Sequence, residues 1–248
     1  MPNYRFINNY SIIIFMANKI LLSEHDLSLS QKGDVFLYKT FTWMFMGLLI
    51  TALTSYLMFL TGLTQIIVNS PLSIFGMLLI QVGVVVGLSN YAAKINSLTA
   101  GLIFLFYSIL TGVTVTPVIY RYTDTSIAIT FIASAIMFAF MAAYGYFTKQ
   151  DLSGFGSIAL MGLIGIILGA IINIFFNNTL LNWVITYAGI AIFLVLTAYD
   201  MQKLKNISFV GELTKRNENN IAIVGALSLY LDFINLFVFL LRIFGNRK

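Results

Sequence analysis

The chain has 248 residues, of which 59% are hydrophobic and only 9% are charged, and its mean hydropathy is +0.92. A soluble domain of this length needs far more charge to cover its surface, so the composition indicates a multi-pass protein of the lipid bilayer. We therefore attribute the net charge of +5 to loops beside the membrane and expect no nucleic-acid partner. The absence of cysteine excludes disulfides and thiolate metal sites.

Seven apolar runs are long enough to cross a bilayer, which takes about 20 residues per helix. They cover residues 41–61, 71–93, 98–120, 127–148, 156–177, 181–203 and 221–244. The pattern predicts an all-α integral membrane fold, with a seven-helix transmembrane domain at 41–248 after a cytoplasmic N-terminal segment at 1–40. The partly apolar stretch Tyr10–Leu22 is too short to span the membrane, and it lacks the cleavage site of a signal peptide.

The basic residues predict the orientation of these runs. If the N-terminus is cytoplasmic, the inner segments hold ten of the Lys and Arg residues and the outer segments hold four. An excess of basic residues marks the cytoplasmic side, so we expect the N-terminus inside and the C-terminus outside. The four outer residues are Arg121, Arg242, Arg247 and Lys248.

Two carboxylates fall inside the predicted spans, Asp200 in TAYDMQKL and Asp232 in LSLYLDFINLF. A charged side chain at the centre of a membrane helix costs about 2.5–3.5 kcal/mol on insertion scales, so it normally faces the bundle interior or a water-filled cavity. Helical spacing puts each acid on a face of small, polar and aromatic residues, and such faces favour helix–helix contact. These faces contain Thr186, Gly189, Phe193 and Thr197 beside Asp200, and Gly225, Ser228, Asn235, Phe239 and Arg242 beside Asp232.

Two carboxylates that meet in a low dielectric cannot both ionise at low cost, so the pair is expected to share a proton. Coupled titration of this kind makes a natural pH switch. Ser228 and Asn235 provide the polar face of the last helix, and Lys94, at the inner end of the second run, is a candidate charge partner. The alternatives are that Asp200 and Lys94 are interfacial residues and that Asp232 makes a structural hydrogen bond.

Weaker motifs add little. GVVVG at 83–87 and GIILG at 165–169 match the G-x-x-x-G pattern of closely packed membrane helices. Pro117 indicates a helix end or kink near the end of the third run. The sequence contains no phosphate-binding loop, dinucleotide fingerprint or metal-ligand spacing, so we expect neither an enzyme nor a bound cofactor.

Several stretches together resemble the bacterial branch of the Bax inhibitor-1 (transmembrane Bax inhibitor motif) family, over about residues 35–247. They are FLYKTFTWMFMGLLITALTSY, TGVTVTPVIYRY, AYDMQKLK and ALSLYLDFINLFVFLLRIFG. The resemblance implies two three-helix layers around a central C-terminal helix, and it implies that Asp200 and Asp232 form the family's di-aspartyl pH sensor. Lys94 stands where such relatives carry an arginine that bonds to the pair, and lysine lacks the bidentate fork of arginine.

The resemblance also implies a pH-regulated calcium leak, with protease-modulating or cytoprotective roles in some members. We therefore predict a cation leak channel of the bacterial inner membrane, gated by the pair, with calcium as the permeating ion. Calcium prefers hard oxygen ligands, and two carboxylates would hold it only transiently. The alternative is a non-conducting regulator that binds another membrane protein, such as a membrane protease.

Two further readings are weaker. An intramembrane aspartyl protease would need Gly-x-Gly-Asp and Pro-Ala-Leu motifs, which the stretch around Asp232 lacks. A proton-coupled transporter would be expected to contain broken helices, and the chain has only three prolines to break them.

Overall fold

The structure is a computed structural model that describes residues 33–68, 71–92, 94–209 and 215–248. Eight helices account for nearly all of these residues. They are α1 Gly33–Leu60, α2 Leu63–Val68, α3 Pro71–Tyr91, α4 Ser97–Ile119, α5 Asp124–Phe147, α6 Ser153–Phe176, α7 Thr179–Phe209 and α8 Lys215–Phe244. A single isolated antiparallel bridge joins Tyr122 to Arg247.

Six of these helices, all except α2 and α3, are long and apolar enough to cross a membrane, and α3 has a shorter apolar part at Phe75–Tyr91. Large apolar side chains such as Phe140 and Phe175 are exposed on the outer faces of the bundle, where lipid would cover them. The prediction of an all-helical, multi-pass membrane protein is therefore confirmed. The second predicted run, at residues 71–93, corresponds to α3, and the count of seven crossings stays a prediction.

Helix α8 occupies the centre of the bundle. Of its most apolar stretch, 72% is buried, whereas the corresponding figure for the other five spanning helices is 17% to 33%. It packs against α3, α4, α5 and α7, and also against α1, since the Tyr230 and Thr51 hydroxyls lie 2.6 Å apart. On one side α3 packs on α4, and on the other α5 and α6 both pack on α7. The C-terminal helix thus packs both on the α3–α4 pair and on α5 and α7.

Several helices extend beyond the apolar runs that predicted them. α1 begins at Gly33 rather than at 41, α7 continues to Phe209 rather than ending at 203, and α8 begins at Lys215 rather than at 221. These extra turns are polar, and tertiary contacts hold them: the Lys39 ammonium donates to Glu218 at 2.7 Å. Hydropathy detects only the apolar part of each helix. Residues 1–32 of the predicted N-terminal segment lie outside the described residues, and residues 33–40 belong to α1.

Glycines set the closest helix contacts around α7. Gly145 of α5 lies against the backbone of Ala198, and Gly156 of α6 lies against the Tyr199 ring. A methyl group at either position would collide with the atoms it faces. Both glycines therefore allow α5 and α6 to approach the segment of α7 that carries Asp200.

The two G-x-x-x-G motifs do not have this role. Among the described residues, a methyl group added at Gly83, Gly87 or Gly165 would meet no atom within 4 Å, and one at Gly169 would lie 3.6 Å from the Ile185 side chain, an ordinary contact. The expectation of close packing at these motifs was wrong. The spacing of four places two glycines on one helical face, but it does not determine whether that face meets a helix or lipid.

The bundle has two ends, which we name by the segments they contain. The α7–α8 end holds the start of α1, the α3–α4 and α5–α6 connections, and the end of α7 with the start of α8. The C-terminal end holds the α4–α5 and α6–α7 connections and residues 245–248.

Candidate functional site

The two small and polar faces predicted on the last two helices meet along the α7–α8 interface. Gly189 of α7 contacts the ring of Phe239, whose centroid lies 6.0 Å from that of Phe193. Nearer the α7–α8 end, Asp200 faces the hydroxyl of Ser228. This order of contacts is the one expected for antiparallel helices, and it confirms that the two faces pack together.

Asp232 lies in the core of the bundle with only 4% of its surface exposed. Its neighbours on α8, Leu229 and Phe233, are equally buried, and Phe233 packs edge-on against Phe131 and Phe138. One carboxylate oxygen of Asp232, Oδ2, is buried without a hydrogen-bond partner among the described residues. A buried polar atom without a partner is costly, so this oxygen is a place where a proton would be held.

Asp200 is half-buried on the facing helix, and it is the charged neighbour whose field acts on Asp232. Lys203 is the basic residue that acts electrostatically on Asp200. It is exposed and lies one turn further along α7. Ser228 precedes Asp232 by one helical turn. The structure thus places Asp200 beside Ser228, with Asp232 one turn further along α8 and near enough for Asp200 to act on it electrostatically.

The contacts of the other two candidate residues do not involve this group. Lys94 is exposed just beyond the end of α3, and its ammonium lies 5.3 Å from the centre of the Tyr91 ring. Asn235 is half-buried, and its side-chain amide donates to the carbonyl of Leu231 at 2.8 Å, one turn back along the same helix. Neither contact involves a carboxylate.

Metal coordination is limited to what the pair itself offers. Within the described ranges, no three His, Cys, Asp or Glu side chains are grouped so that they could hold a metal ion. Calcium takes six to eight oxygen ligands, so two carboxylates would provide only a weak and passing site.

Sequence reasoning missed a second buried polar cluster, between α1, α3, α4 and α8. Thr51 contacts the Tyr230 hydroxyl at 2.6 Å and donates to the carbonyl of Ser108 at 3.0 Å. Nearby, Thr116 donates to the Ser55 hydroxyl at 3.0 Å. The sequence does contain a signal for this cluster, because Thr51 and Ser55 are four residues apart and therefore lie on one face of α1. Unlike Asp232 Oδ2, these hydroxyls have partners.

Comparison with known proteins assigns the family. The family model described as "Inhibitor of apoptosis-promoting Bax1" matches residues 33–248, which is most of the chain. The chain belongs to the Bax inhibitor-1 family. The match begins at the first residue of α1 and includes both Asp200 and Asp232.

Bacterial members of this family are similar over nearly their whole length. The inner membrane protein YbhL of Escherichia coli strain K12 is 41% identical over 219 residues, which are 87% of this chain and 93% of that protein. An uncharacterized protein of Borreliella burgdorferi is 43% identical over 217 residues, covering 86% and 92% of the two chains. An uncharacterized membrane protein of Streptococcus pyogenes serotype M1 is 35% identical over 234 residues, covering 93% and 99%.

Proposed function

We propose that this Bax inhibitor-1 family protein is a pH-sensitive leak channel for calcium and other cations, gated by Asp200 and Asp232. One observation carries the proposal: Asp200, on the helix packed against α8, acts electrostatically on Asp232, and Asp232 has a buried oxygen without a partner among the described residues. A protonated carboxyl of Asp200 can donate to that oxygen, so one shared proton would satisfy both groups.

The gate follows from the cost of charge in a low dielectric. With one proton shared, a hydrogen bond holds α7 and α8 together at the level of Asp200 and Asp232. When that proton leaves, two negative charges repel each other at short range with little water to screen them. The helices then separate and expose a polar path past Ser228, and the carboxylate oxygens are suitable ligands for a passing calcium ion.

The contacts on each side of the pair favour a movement between α7 and α8. Gly145 and Gly156 fit α5 and α6 closely against α7. Tyr230 fixes α8 to α1 through its contact with Thr51. Loss of the shared proton would therefore move the α5–α7 group as a unit away from α8. The proposal involves no enzymatic reaction and no cofactor other than the permeating ion.

The inner membrane of a bacterium is the proposed location, and the N-terminus is proposed to be cytoplasmic. The description of the E. coli relative as an inner membrane protein supports the location. The ten-to-four division of basic residues supports the orientation. Reporter fusions between α7 and α8, at residues 210–214, test the orientation. Activity of a reporter that works only outside the cytoplasm would contradict it.

Calcium flux into liposomes that contain the purified protein tests the function. Wild-type flux should change between about pH 5 and 8, the range over which physiological switches titrate. Asp232→Asn and Asp200→Asn keep the shape of the side chains but cannot titrate, so the flux of each variant should no longer depend on pH.

The matched control is Asp151→Asn, in the α5–α6 connection. The Ser153 hydroxyl and backbone N–H donate to Asp151 at 2.6 and 2.9 Å, and both lower the pKa of this exposed carboxyl. Asp151 therefore stays ionised over the range tested, and the control should keep the wild-type pH profile. If both variants of the pair also keep it, the gate lies elsewhere. If the wild-type protein conducts no cation at any pH, the family member acts as a non-conducting regulator and Asp232 is a structural residue.

A further inference from the structure

A cavity of about 670 Å³ opens at the C-terminal end of the bundle, between the α4–α5 connection, the start of α7 and the end of α8. Arg121, Arg242 and Arg247 line it, together with the polar side chains of Thr179, Asn182 and Trp183. Its size is within the usual range for sites that bind small molecules. No Asp or Glu is among the described residues that line it.

The arginines are held in position by contacts away from their guanidinium groups. Arg121 accepts a hydrogen bond at its carbonyl from the backbone N–H of Lys248, at 2.9 Å. Thr123 donates to the carbonyl of Asn246 at 3.0 Å, which pairs the chain on both sides of the bridge between Tyr122 and Arg247. The C-terminal residues are thus fixed to the α4–α5 connection, and their arginines face one cavity before any ligand arrives.

The positive charge of this cavity is not balanced within the described part of the chain. Among the described residues, the ion pairs are Lys39 with Glu218 and Lys248 with Asp124. Neither pair involves an arginine of the cavity. Arg242 instead lies over the Phe239 ring, 5.1 Å from its centre. Three guanidinium groups without a carboxylate partner favour an anion, and arginine binds phosphate through two parallel hydrogen bonds.

The position of the cavity brings it to the membrane surface. Trp183 and Tyr187 stack on the exposed side of α7, with ring centres 5.8 Å apart. Aromatic residues of this kind concentrate at the level of the lipid headgroups, where basic pockets also bind lipid phosphates. The Thr179 hydroxyl, the Asn182 amide and the Trp183 indole N–H provide neutral donors beside the arginines.

We propose that this cavity is a binding site for a phosphate-bearing anion, held by Arg121, Arg242 and Arg247. The same chemistry would bind the phosphate of an anionic lipid headgroup and a free phosphate ion. The site lies at the C-terminal end of α8, whereas Asp232 lies near the middle of that helix, and the proposal does not depend on calcium conduction.

Trp183 provides a reporter for binding, because the chain has only one other tryptophan, Trp43. Trp43 packs on Phe104 and Gly101, away from the cavity, and the Trp43→Phe substitution leaves Trp183 as the only source of tryptophan fluorescence. In one arm, the detergent-solubilised protein is titrated with inorganic phosphate at an ionic strength kept constant with sodium chloride. In the other arm, the protein is placed in nanodiscs of phosphatidylcholine with or without phosphatidylglycerol. Both arms are repeated with Trp43 present.

A saturable change in Trp183 fluorescence is expected in at least one arm. Arg242→Gln and Arg247→Gln should each weaken the apparent affinity by about tenfold or more, because each removes a charge-assisted hydrogen bond. Lys149→Gln removes one positive charge at the α7–α8 end and should leave the affinity unchanged. Arg247→Gln keeps the backbone bridge to Tyr122, so this variant should fold normally.

The two arms identify the source of the phosphate. A response to inorganic phosphate that both arginine substitutions weaken assigns the site to a free anion. A response that appears only with phosphatidylglycerol, and that the same substitutions weaken, assigns it to a lipid headgroup. The proposal is overturned if neither arm gives a saturable response, or if the arginine variants respond as strongly as the wild-type protein.

Discussion

The bundle carries acidic residues in its packed core, on α7 and α8, and basic residues at its C-terminal end. Asp200 and Asp232 lie on two helices that pack together, and one oxygen of Asp232 is buried away from solvent. Arg242 instead faces an open cavity with two further arginines. The buried acids can be neutralised most easily by a proton, whereas water or a bound anion can compensate the arginines. The two regions are thus suited to respond to different signals, pH in the core and anions at the surface.

The largest expected effect comes from the packing that holds α7 beside the pair. Gly145→Ala places a methyl group against the Ala198 backbone, which has no flexible side chain to move aside. We expect a loss of about 1–3 kcal/mol in the free energy of unfolding, which is typical of overpacking. Thermal unfolding in detergent measures this loss.

Gly83→Ala is the matched control, because open space surrounds that position. It should be neutral or slightly stabilising, since alanine favours helices by about 1 kcal/mol over glycine. Equal stability of the two variants would show that the contact of α5 does not hold α7 in place. The acid pair would then lack the rigid surroundings that we contrast with the open cavity.

The next prediction compares two buried polar groups. The Tyr230 hydroxyl has a hydrogen-bond partner, and Asp232 Oδ2 has none among the described residues. Tyr230→Phe removes a buried hydroxyl that contacts Thr51 and should destabilise the protein by about 1 kcal/mol. Asp232→Asn removes a buried ionisable group and should raise the unfolding temperature above that of the wild type at neutral pH. Calorimetry on the two variants compares them, and a lower unfolding temperature for Asp232→Asn would mean that the carboxylate is stabilising as it stands.

The smallest effect concerns the basic partner of the pair. Lys203→Met should shift the pH midpoint of calcium flux by a few tenths of a pH unit towards higher pH, because a positive neighbour favours ionised carboxylates. The shift is small because the ammonium is exposed and screened by solvent. Lys94→Met is the matched comparison. A shift for Lys94→Met that is larger than the shift for Lys203→Met would restore Lys94 as the charge partner predicted from the sequence.

Much of the fold, and the faces on which α7 and α8 meet, could be predicted because they follow from periodicity. Apolar runs located the helices, and the three-and-four spacing that joins Ser228, Asp232 and Phe239 identified the face of α8 that meets α7. The position of Lys94 could not be predicted in this way, since its long side chain extends from an exposed helix end and lies over Tyr91. The early start of α1 depends on the contact between Lys39 and Glu218, which are 179 residues apart in the chain.

The arginine cavity also could not be predicted from the sequence, for a similar reason. In the sequence, Arg121, Arg242 and Arg247 count as outer charges that oppose the predicted orientation, and Arg242 also belongs to the predicted Asp232 face of α8. These arginines lie close together because the backbone of residues 121–123 pairs with that of residues 246–248. No local sequence pattern predicts this pairing.

The most direct test of the shared proton is a double-mutant cycle on the pH dependence of calcium flux in liposomes. Because the proton belongs to the pair, Asp200→Asn and Asp232→Asn should each abolish the pH dependence, and the double variant should match either single variant. Asp151→Asn serves again as the control that keeps the wild-type profile. If each single variant instead retains part of the pH dependence and the two effects add in the double variant, the carboxylates titrate independently, and the account of a proton shared across α7 and α8 is wrong.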